Sequence, residues 1–171
     1  MNKVLLIIAI VICVILTILI VLNIVTRLEL KSEVIFDAPK EKVWEVLTDT
    51  EKYSEWNPFI ISVVGVMQKG SEITNVMVNQ GNETTFTPVI TSFEEYESLE
   101  WLGSGLYGMF KGNHYFYLTE TSGGRTKMLH GERFSGLLSG LILQLIAKDT
   151  QANFELMNKA MKKRVEESYK K

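Results

Sequence analysis

The sequence predicts an α+β fold: a curved antiparallel sheet of about seven strands around a long C-terminal helix, with one transmembrane helix at the N-terminus. Three observations lead to this prediction. Residues 4–25 contain no charge, residues 28–36 and 60–134 alternate between apolar and polar side chains in short segments, and residues 138–169 follow a helical pattern. Strands that run in succession and are followed by a helix are typical of the α+β class.

The uncharged segment near the N-terminus predicts a membrane anchor. It comprises 22 residues, Val4 to Val25, of which only Thr17 and Asn23 have polar side chains. A helix of this length covers ~33 Å at ~1.5 Å per residue, enough to cross a ~30 Å hydrocarbon core. The apolar core of a signal peptide is shorter, ~7–15 residues, and precedes small residues at a cleavage site. No such site follows here, so we predict an uncleaved anchor at 1–27 and one folded domain at 28–171.

The charge of the domain argues against nucleic acid as a partner. Residues 28–171 carry all 20 acidic residues and 16 of the 18 basic ones, so their net charge is −4. The sequence has no arginine-rich segment with interleaved aromatic residues, as nucleic-acid binding favours. The only cysteine, Cys13, lies in the apolar segment. The domain itself therefore has no cysteine for a disulfide or a metal site.

Basic residues around the anchor predict its orientation. One lysine, Lys3, precedes the apolar segment, whereas four basic residues follow it closely: Arg27, Lys31, Lys40 and Lys42. Lys and Arg accumulate on the cytoplasmic side of membrane spans. The count therefore favours a single-pass membrane protein whose domain lies on the cytoplasmic side.

The domain begins with a strand and a short helix and continues with strands. Residues 28–36 alternate with period two, which predicts a half-buried strand. Pro39 suits the first turn of a helix, whose apolar residues are Val43, Val46 and Leu47. Turn residues then separate six further predicted strands, at 60–68, 72–79, 85–95, 98–102, 110–120 and 125–134. Such short connections favour antiparallel pairing within a single sheet.

The last segment predicts one long helix at about 138–169. Its apolar residues recur at helical spacing: Leu141, Leu145, Phe154, Met157, Met161 and Val165. A curved sheet around so long a helix is not expected to close its core everywhere. We therefore predict a cavity between the sheet and this helix.

Six segments, in this order along the chain, resemble a known superfamily. They are VIFDAPKEKVWEVLTD at 34–49, YSEWNPFI at 53–60, LEWLG at 99–103, HYFYLTE at 114–120, HGERFSGLL at 130–138 and FELMNKAMKKRVEE at 154–167. The chain resembles the SRPBCC superfamily of START-like and birch-pollen-allergen-like proteins, in particular its polyketide cyclase/dehydrase-like branch. The resemblance implies a helix-grip fold with a hydrophobic ligand cavity. It does not imply one activity, because one scaffold hosts many.

Both histidines of the chain fall near Glu132 on the predicted inner face. A three-residue loop at 122–124 sets a strand register that puts His114 opposite Glu132 and Phe116 opposite His130. A register shifted by two residues puts His114 opposite His130 instead. In either register the three polar side chains form a cluster in an apolar environment.

The cluster has three interpretations at this stage. It orients a ligand or acts as a general acid and base, it is a satisfied structural pair in which Glu132 accepts a hydrogen bond from His114, or it binds zinc. The ligand-binding residues that we predict are apolar and aromatic residues of the inner face together with this cluster: Phe86, Leu99, Trp101, His114, Phe116, Met128, His130, Glu132, Phe134, Phe154, Met157 and Met161.

A glycine-rich loop at 103–112 predicts a gate to the cavity. Four glycines give its backbone freedom, while four side chains make it apolar: Leu106, Tyr107, Met109 and Phe110. One interpretation is a gate that dips into the adjacent bilayer. The alternative is a loop that folds back onto the core.

These observations favour a membrane-anchored binding protein for a hydrophobic small molecule or lipid. No nucleophile, phosphate-binding or dinucleotide motif is present in the sequence, and we predict no cofactor and no bound metal. One alternative is a cyclase- or hydratase-like enzyme that uses His114, His130 and Glu132. Another is a non-enzymatic protein-interaction module whose cavity is residual. The sequence gives no indication of oligomeric state.

Overall fold

The computed structural model describes residues 2–79 and 81–170. Its helices and strands, in chain order, are α1 Lys3–Val25, β1 Glu29–Phe36, α2 Lys40–Thr48, α3 Tyr53–Trp56, β2 Ile60–Gly65, β3 Ile73–Asn79, β4 Asn82–Phe86, β5 Val89–Glu94, β6 Ser98–Gly105, β7 Phe110–Thr121, β8 Arg125–Ser135 and α4 Ser139–Tyr169. Short 3-10 turns lie at Thr50–Lys52 and Leu106–Gly108. This is the predicted helix-grip α+β fold, in which the strands are followed by one long helix.

The strands form two antiparallel sheets rather than the single sheet expected. The larger sheet has five strands in the order β1-β8-β7-β6-β5, and the smaller has the order β2-β3-β4. The predicted strand at 85–95 is two strands, β4 and β5, interrupted at Thr87-Pro88. Proline has no N–H to donate to a strand ladder, so the chain leaves one sheet there and joins the other. A bridge between Glu72 and Val89 links the two sheets.

The core lies between the five-stranded sheet and the second half of α4. From α4 it contains Phe154, Met157, Met161 and Val165, all of them fully buried. Helix α2 closes one end of this interior with Val43 and Leu47, also fully buried. The alternation predicted for β1 is confirmed, since Phe36 is buried and Ile35 on the other face is 45% exposed.

The first turns of α4 do not follow the prediction. Leu141 is 42% exposed and Leu145 is 77% exposed, although both belong to the predicted apolar stripe. Here Gly140 and Leu143 are buried instead, and Gly140 lies directly against Leu22 and Asn23 of α1. The stripe therefore changes face along the helix.

Helix α1 is fastened to the start of α4 by its last turn. The Asn23 side chain donates a hydrogen bond from Nδ2 to the Leu137 carbonyl (2.8 Å) and accepts one at Oδ1 from the Gly140 N–H (2.9 Å). The absence of a side chain at Gly140 permits this approach, since a Cβ there would lie 2.5 Å from the Leu22 carbonyl carbon. We call this contact the clasp. Among the described residues, α1 is the one helix with the length and composition to cross a membrane.

A cavity between the sheets and the C-terminal helix as candidate functional site

A cavity of about 230 Å³ opens between the two sheets and the first half of α4. The smaller sheet supplies one wall, the inner face of β6, β7 and β8 the floor, and α4 the remaining wall. Most of its lining is apolar, and its lining residues are Phe59, Asn75, Met77, Asn79, Thr84, Phe86, Pro88, Trp101, Gly103, Phe110, Gly112, His114, Glu132, Phe134, Ile146, Thr150 and Asn153.

The first predicted strand register brings the polar cluster to the cavity floor. In the β7–β8 pair, His114 lies opposite Glu132 and Phe116 opposite His130. His114 and Glu132 line the cavity, whereas His130 is fully buried behind them and reaches α4. The cluster therefore has an outer end at the cavity and an inner end in the core.

Hydrogen bonds connect the two ends of the cluster. His130 Nδ1 lies 2.8 Å from Asn158 Oδ1 on α4, and His130 Nε2 lies 2.9 Å from His114 Nε2. An amide oxygen only accepts hydrogen bonds, so His130 carries its proton on Nδ1 and donates it in a hydrogen bond to Asn158. The unprotonated His130 Nε2 then accepts a hydrogen bond from the N–H of His114. His114 Nδ1 is then a bare acceptor, 3.7 Å from Glu132 Oε2, which is longer than a hydrogen bond.

Burial keeps all three groups of the cluster neutral near pH 7. It lowers the pKa of His114 to about 3 and lowers the pKa of His130 well below its usual range, with the neighbouring His114 as a second cause. Burial also raises the pKa of Glu132 to about 8. A neutral Glu132 has an O–H to donate, either towards the bare His114 Nδ1 or to a molecule in the cavity.

Two neighbours fix the outer end of the cluster. The Glu132 carboxyl group occupies the space above Gly112, where a Cβ would lie 1.9 Å from Oε1. The ring of Trp101 stacks on His114, with ring centroids 5.1 Å apart and an angle of 15° between the planes. The side chains that face the cavity are therefore held by close packing before any ligand arrives.

Asn75 is a cavity residue that the sequence analysis missed. It is 1% exposed, and its Oδ1 has no hydrogen-bond partner among the described residues. A buried acceptor without a donor is unusual, because its desolvation goes uncompensated. The signal was available in the sequence: asparagine is depleted in strands, and here it stands between Ile73 and Met77 on the inward face of β3.

The twelve predicted ligand-binding residues divide into two groups. Five line the cavity: Phe86, Trp101, His114, Glu132 and Phe134. Seven lie in packed interior away from its lining, six of them in the hydrophobic core and His130 beside it: Leu99, Phe116, Met128, His130, Phe154, Met157 and Met161. The predicted hollow therefore occupies only one end of the interior, because α2 and α3 fill the other.

The predicted gate loop exposes its apolar side chains rather than folding them onto the core. Leu106 is 53% exposed, Met109 is 40% exposed and Tyr107 has no cover at all. Phe110 differs from these three, since it lines the cavity and stacks on Phe134 with centroids 5.7 Å apart. The loop therefore joins the cavity lining to an exposed apolar surface.

The zinc interpretation receives no support from the donor set. Within residues 2–79 and 81–170, no three His, Cys, Asp or Glu side chains gather in a group that would hold a metal ion. His114 Nε2 is already occupied by its hydrogen bond to His130. The structural interpretation, in which Glu132 accepts a hydrogen bond from His114, is wrong, because these groups lie 3.7 Å apart and the His114 N–H is directed to His130. The ligand-directed interpretation stays a prediction.

Comparison with protein families agrees with this geometry. A family model described as polyketide cyclase / dehydrase and lipid transport matches residues 27–166, which is most of the chain. The chain belongs to this family. The match confirms the resemblance on which the helix-grip prediction rested. It does not separate the enzymes of the family from its lipid carriers. No curated protein matches the sequence significantly.

Solved structures show the same fold at low sequence identity. The Thermus thermophilus protein TTHA0849 is 19% identical with a TM-score of 0.63, covering 80% of this chain and 96% of that one. The Zhui aromatase/cyclase from a Streptomyces species is 14% identical with a TM-score of 0.60, covering 80% and 94%. Ara h 8.0201 is 17% identical with a TM-score of 0.55, covering 78% and 96%. At these identities the likeness concerns the fold alone.

Proposed function

We propose that this protein is a membrane-anchored domain that binds a hydrophobic small molecule or lipid in the cavity beside α4. Helix α1 is the anchor, and Glu132 and Asn75 orient the ligand. The observation that carries the proposal is the cavity itself: an apolar space that contains a neutral, half-buried carboxyl group and an amide oxygen with no partner among the described residues. An open cavity also argues against the interaction-module alternative, which a filled interior would favour.

The size of the cavity limits the ligand. Cavities that enclose a drug-sized molecule usually have about 300–1,000 Å³, whereas this one has about 230 Å³. It therefore accommodates a small ligand, or one end of a longer lipid whose remainder leaves through the open side. Affinity would come chiefly from apolar burial, at about 25 cal/mol per Å².

The polar groups of the cavity specify what this end of the ligand carries. Asn75 Oδ1 accepts a hydrogen bond, so it favours a hydroxyl or N–H group. Neutral Glu132 donates one, so it favours a carbonyl or ether oxygen. A fixed anion is disfavoured, because the described lining residues include no Lys or Arg to compensate it. We therefore propose a neutral, hydroxyl- or carbonyl-bearing lipid.

Native mass spectrometry of the full chain, purified in detergent, tests the proposal. We expect bound apolar molecules in the wild type and at least about tenfold lower occupancy in Thr84→Trp, whose larger side chain fills the cavity. Thr85→Trp is the matched control, because Thr85 is the next residue on β4, exposed and outside the lining. Equal occupancy in the two variants, or none in the wild type, would contradict ligand binding in this cavity.

A pair of glycine variants tests the orienting role of Glu132. Gly112→Ala places a methyl group where the carboxyl group lies, so we expect about tenfold weaker retention of the co-purified molecule. Gly103→Ala is the control, because Gly103 pairs with Gly112, also lines the cavity and has its nearest atom 3.9 Å from an added Cβ. Equal retention in both variants would show that Glu132 does not orient the bound molecule.

Acid–base catalysis is a second candidate function, favoured by one observation. The cavity holds a protonated carboxyl group beside a bare imidazole nitrogen, a pair suited to adding or removing water. In that case Glu132→Gln would retain the substrate, and its bound molecule would differ in mass from that of the wild type by one water. Identical masses favour the binding protein.

A further inference from the structure

We infer that the face around the clasp is a lipid-bilayer docking surface, which holds the cavity against the membrane in one fixed orientation. The surface consists of Leu106, Tyr107 and Met109 of the loop and Leu141 and Leu145 of α4. The inference rests on the proposed anchor, because a bilayer is its intended partner. It goes beyond the anchor in assigning which face of the domain meets the lipid.

The clasp makes α1 a rigid part of the domain rather than a flexible tether. Both polar atoms of the Asn23 side chain are bonded to the segment that begins α4, and Gln144 Nε2 donates to Thr26 Oγ1 at 2.9 Å one turn further on. The apolar part of α1 ends at Val25, two residues after Asn23. A bilayer around α1 therefore meets the domain at the start of α4.

The glycine-rich loop at 103–112 is hydrogen-bonded to the same segment, the start of α4. The N–H of Leu138 donates to the Met109 carbonyl at 2.9 Å, and a Cβ on Gly136 would lie 2.4 Å from that carbonyl oxygen. The loop, the start of α4 and the end of α1 therefore meet within residues 136–140. The exposed apolar side chains of the loop and of α4 adjoin the membrane-spanning helix.

The conformation of the loop supports an interfacial role independently of the anchor. Leu106 and Tyr107 both have positive φ angles, 51° and 54°, which side-chain-bearing residues rarely adopt. This backbone holds Tyr107 fully exposed. Strained backbone of this kind clusters at functional sites, and tyrosine, together with tryptophan, is enriched at the membrane–water interface.

The docking surface also borders the cavity. Met109 of the surface precedes Phe110 of the cavity lining, and Leu145 of the surface precedes Ile146 of the lining. Docking would therefore bring this edge of the cavity next to the acyl chains. A lipid could then enter from the bilayer without crossing water.

Quenching of a fluorescent label by doxyl lipids tests the inference in the full chain. The protein is reconstituted into phosphatidylcholine–phosphatidylglycerol vesicles, and one cysteine at a time carries the fluorophore NBD. Native Cys13, exposed on α1, reports the anchor. In a Cys13→Ala background, Tyr107→Cys reports the docking surface. Ser122→Cys is the control, because it lies beyond the opposite end of β7, 12 residues or ~40 Å away.

We expect strong quenching at positions 13 and 107, with position 107 quenched at least about twofold more than position 122. Quenching at position 13 alone would overturn the docking surface while leaving the anchor. Absence of quenching at position 13 would overturn the anchor, and the docking surface with it. Asn23→Ala, which removes the clasp, should lower quenching at position 107 towards that of position 122. Unchanged quenching there would show that the clasp does not orient the domain.

Discussion

The two ends of the interior beside α4 contain similar residues, but one end is closely packed and the other contains the cavity. At one end, Phe154, Met157 and Met161 meet the sheet and are covered by α2, which leaves no space. At the other end, the first half of α4 faces the smaller sheet across the cavity. Aromatic residues line both ends. The difference lies in what covers these residues. At the packed end, helix α2 inserts its side chains between them, whereas at the other end the smaller sheet is separated from them by the cavity.

The polar cluster crosses the boundary between these two ends. Its inner members, His130 and Asn158, are bonded to each other and join the sheet to α4. Its outer members, His114 and Glu132, face the cavity at 3.7 Å from each other. The inner pair is joined by a hydrogen bond, so we expect it to stabilise the fold. The outer pair is not hydrogen-bonded to each other, which leaves these groups available to a ligand. Three predictions sharpen this comparison.

The largest expected effect is at the packed end. Phe154→Ala should lower the free energy of unfolding by about 3–5 kcal/mol, because Phe154 is fully buried. The centroid of its ring lies 4.4 Å from that of His130 and 5.9 Å from that of Phe59. The control is Phe86→Ala at the cavity edge, where the ring is 45% exposed and the loss should stay below about 1 kcal/mol. Urea unfolding in detergent measures both. Equal losses would mean that the two ends are packed alike.

The second effect is a pH dependence that originates at the outer end. Because the folded pKa of Glu132 is about 8 and its ordinary value is 4.5, the folded state binds the extra proton between these values. Stability from this group therefore falls as the pH rises through that range, by about 1.4 kcal/mol per pH unit. The lowered pKa values of His114 and His130 act in the opposite direction, lowering stability as the pH falls below 6.5.

The two trends predict maximal stability near pH 6.5 and a loss of roughly 2 kcal/mol between pH 6.5 and 8. Glu132→Gln should remove the loss on the alkaline side and keep the one on the acid side, which comes from the histidines. Unfolding curves of both proteins across this pH range give the comparison. An unchanged alkaline slope in Glu132→Gln would mean that Glu132 is ionised in the folded protein.

The sequence predicted the order of elements well, because it depends on local pattern, but it placed Phe154, Met157 and Met161 of the packed end in the cavity lining. The short turn at 122–124 narrowed the β7–β8 register to two alternatives, and the structure has the one that pairs His114 with Glu132. The division into two sheets was not predicted, since it depends on which partner each strand finds after Pro88. Asn75 was missed because its place between Ile73 and Met77 shows an inward polar residue in the sequence but does not show that this part of β3 faces a cavity. Leu141 and Leu145 were misplaced because a helical stripe does not show which neighbour it faces.

The smallest expected effect separates two buried asparagines that look alike. Each has one amide atom without a partner among the described residues, Oδ1 in Asn75 and Nδ2 in Asn158. Asn75→Leu removes an uncompensated acceptor, so it should raise the free energy of unfolding by about 1 kcal/mol. Asn158→Leu should lower it by about 1–3 kcal/mol, because the Nδ1–H of His130 loses its acceptor. Thermal unfolding in detergent gives both signs, and ligand retention should fall only in Asn75→Leu. A destabilised Asn75→Leu would mean that its amide is structural, like that of Asn158, rather than reserved for a ligand.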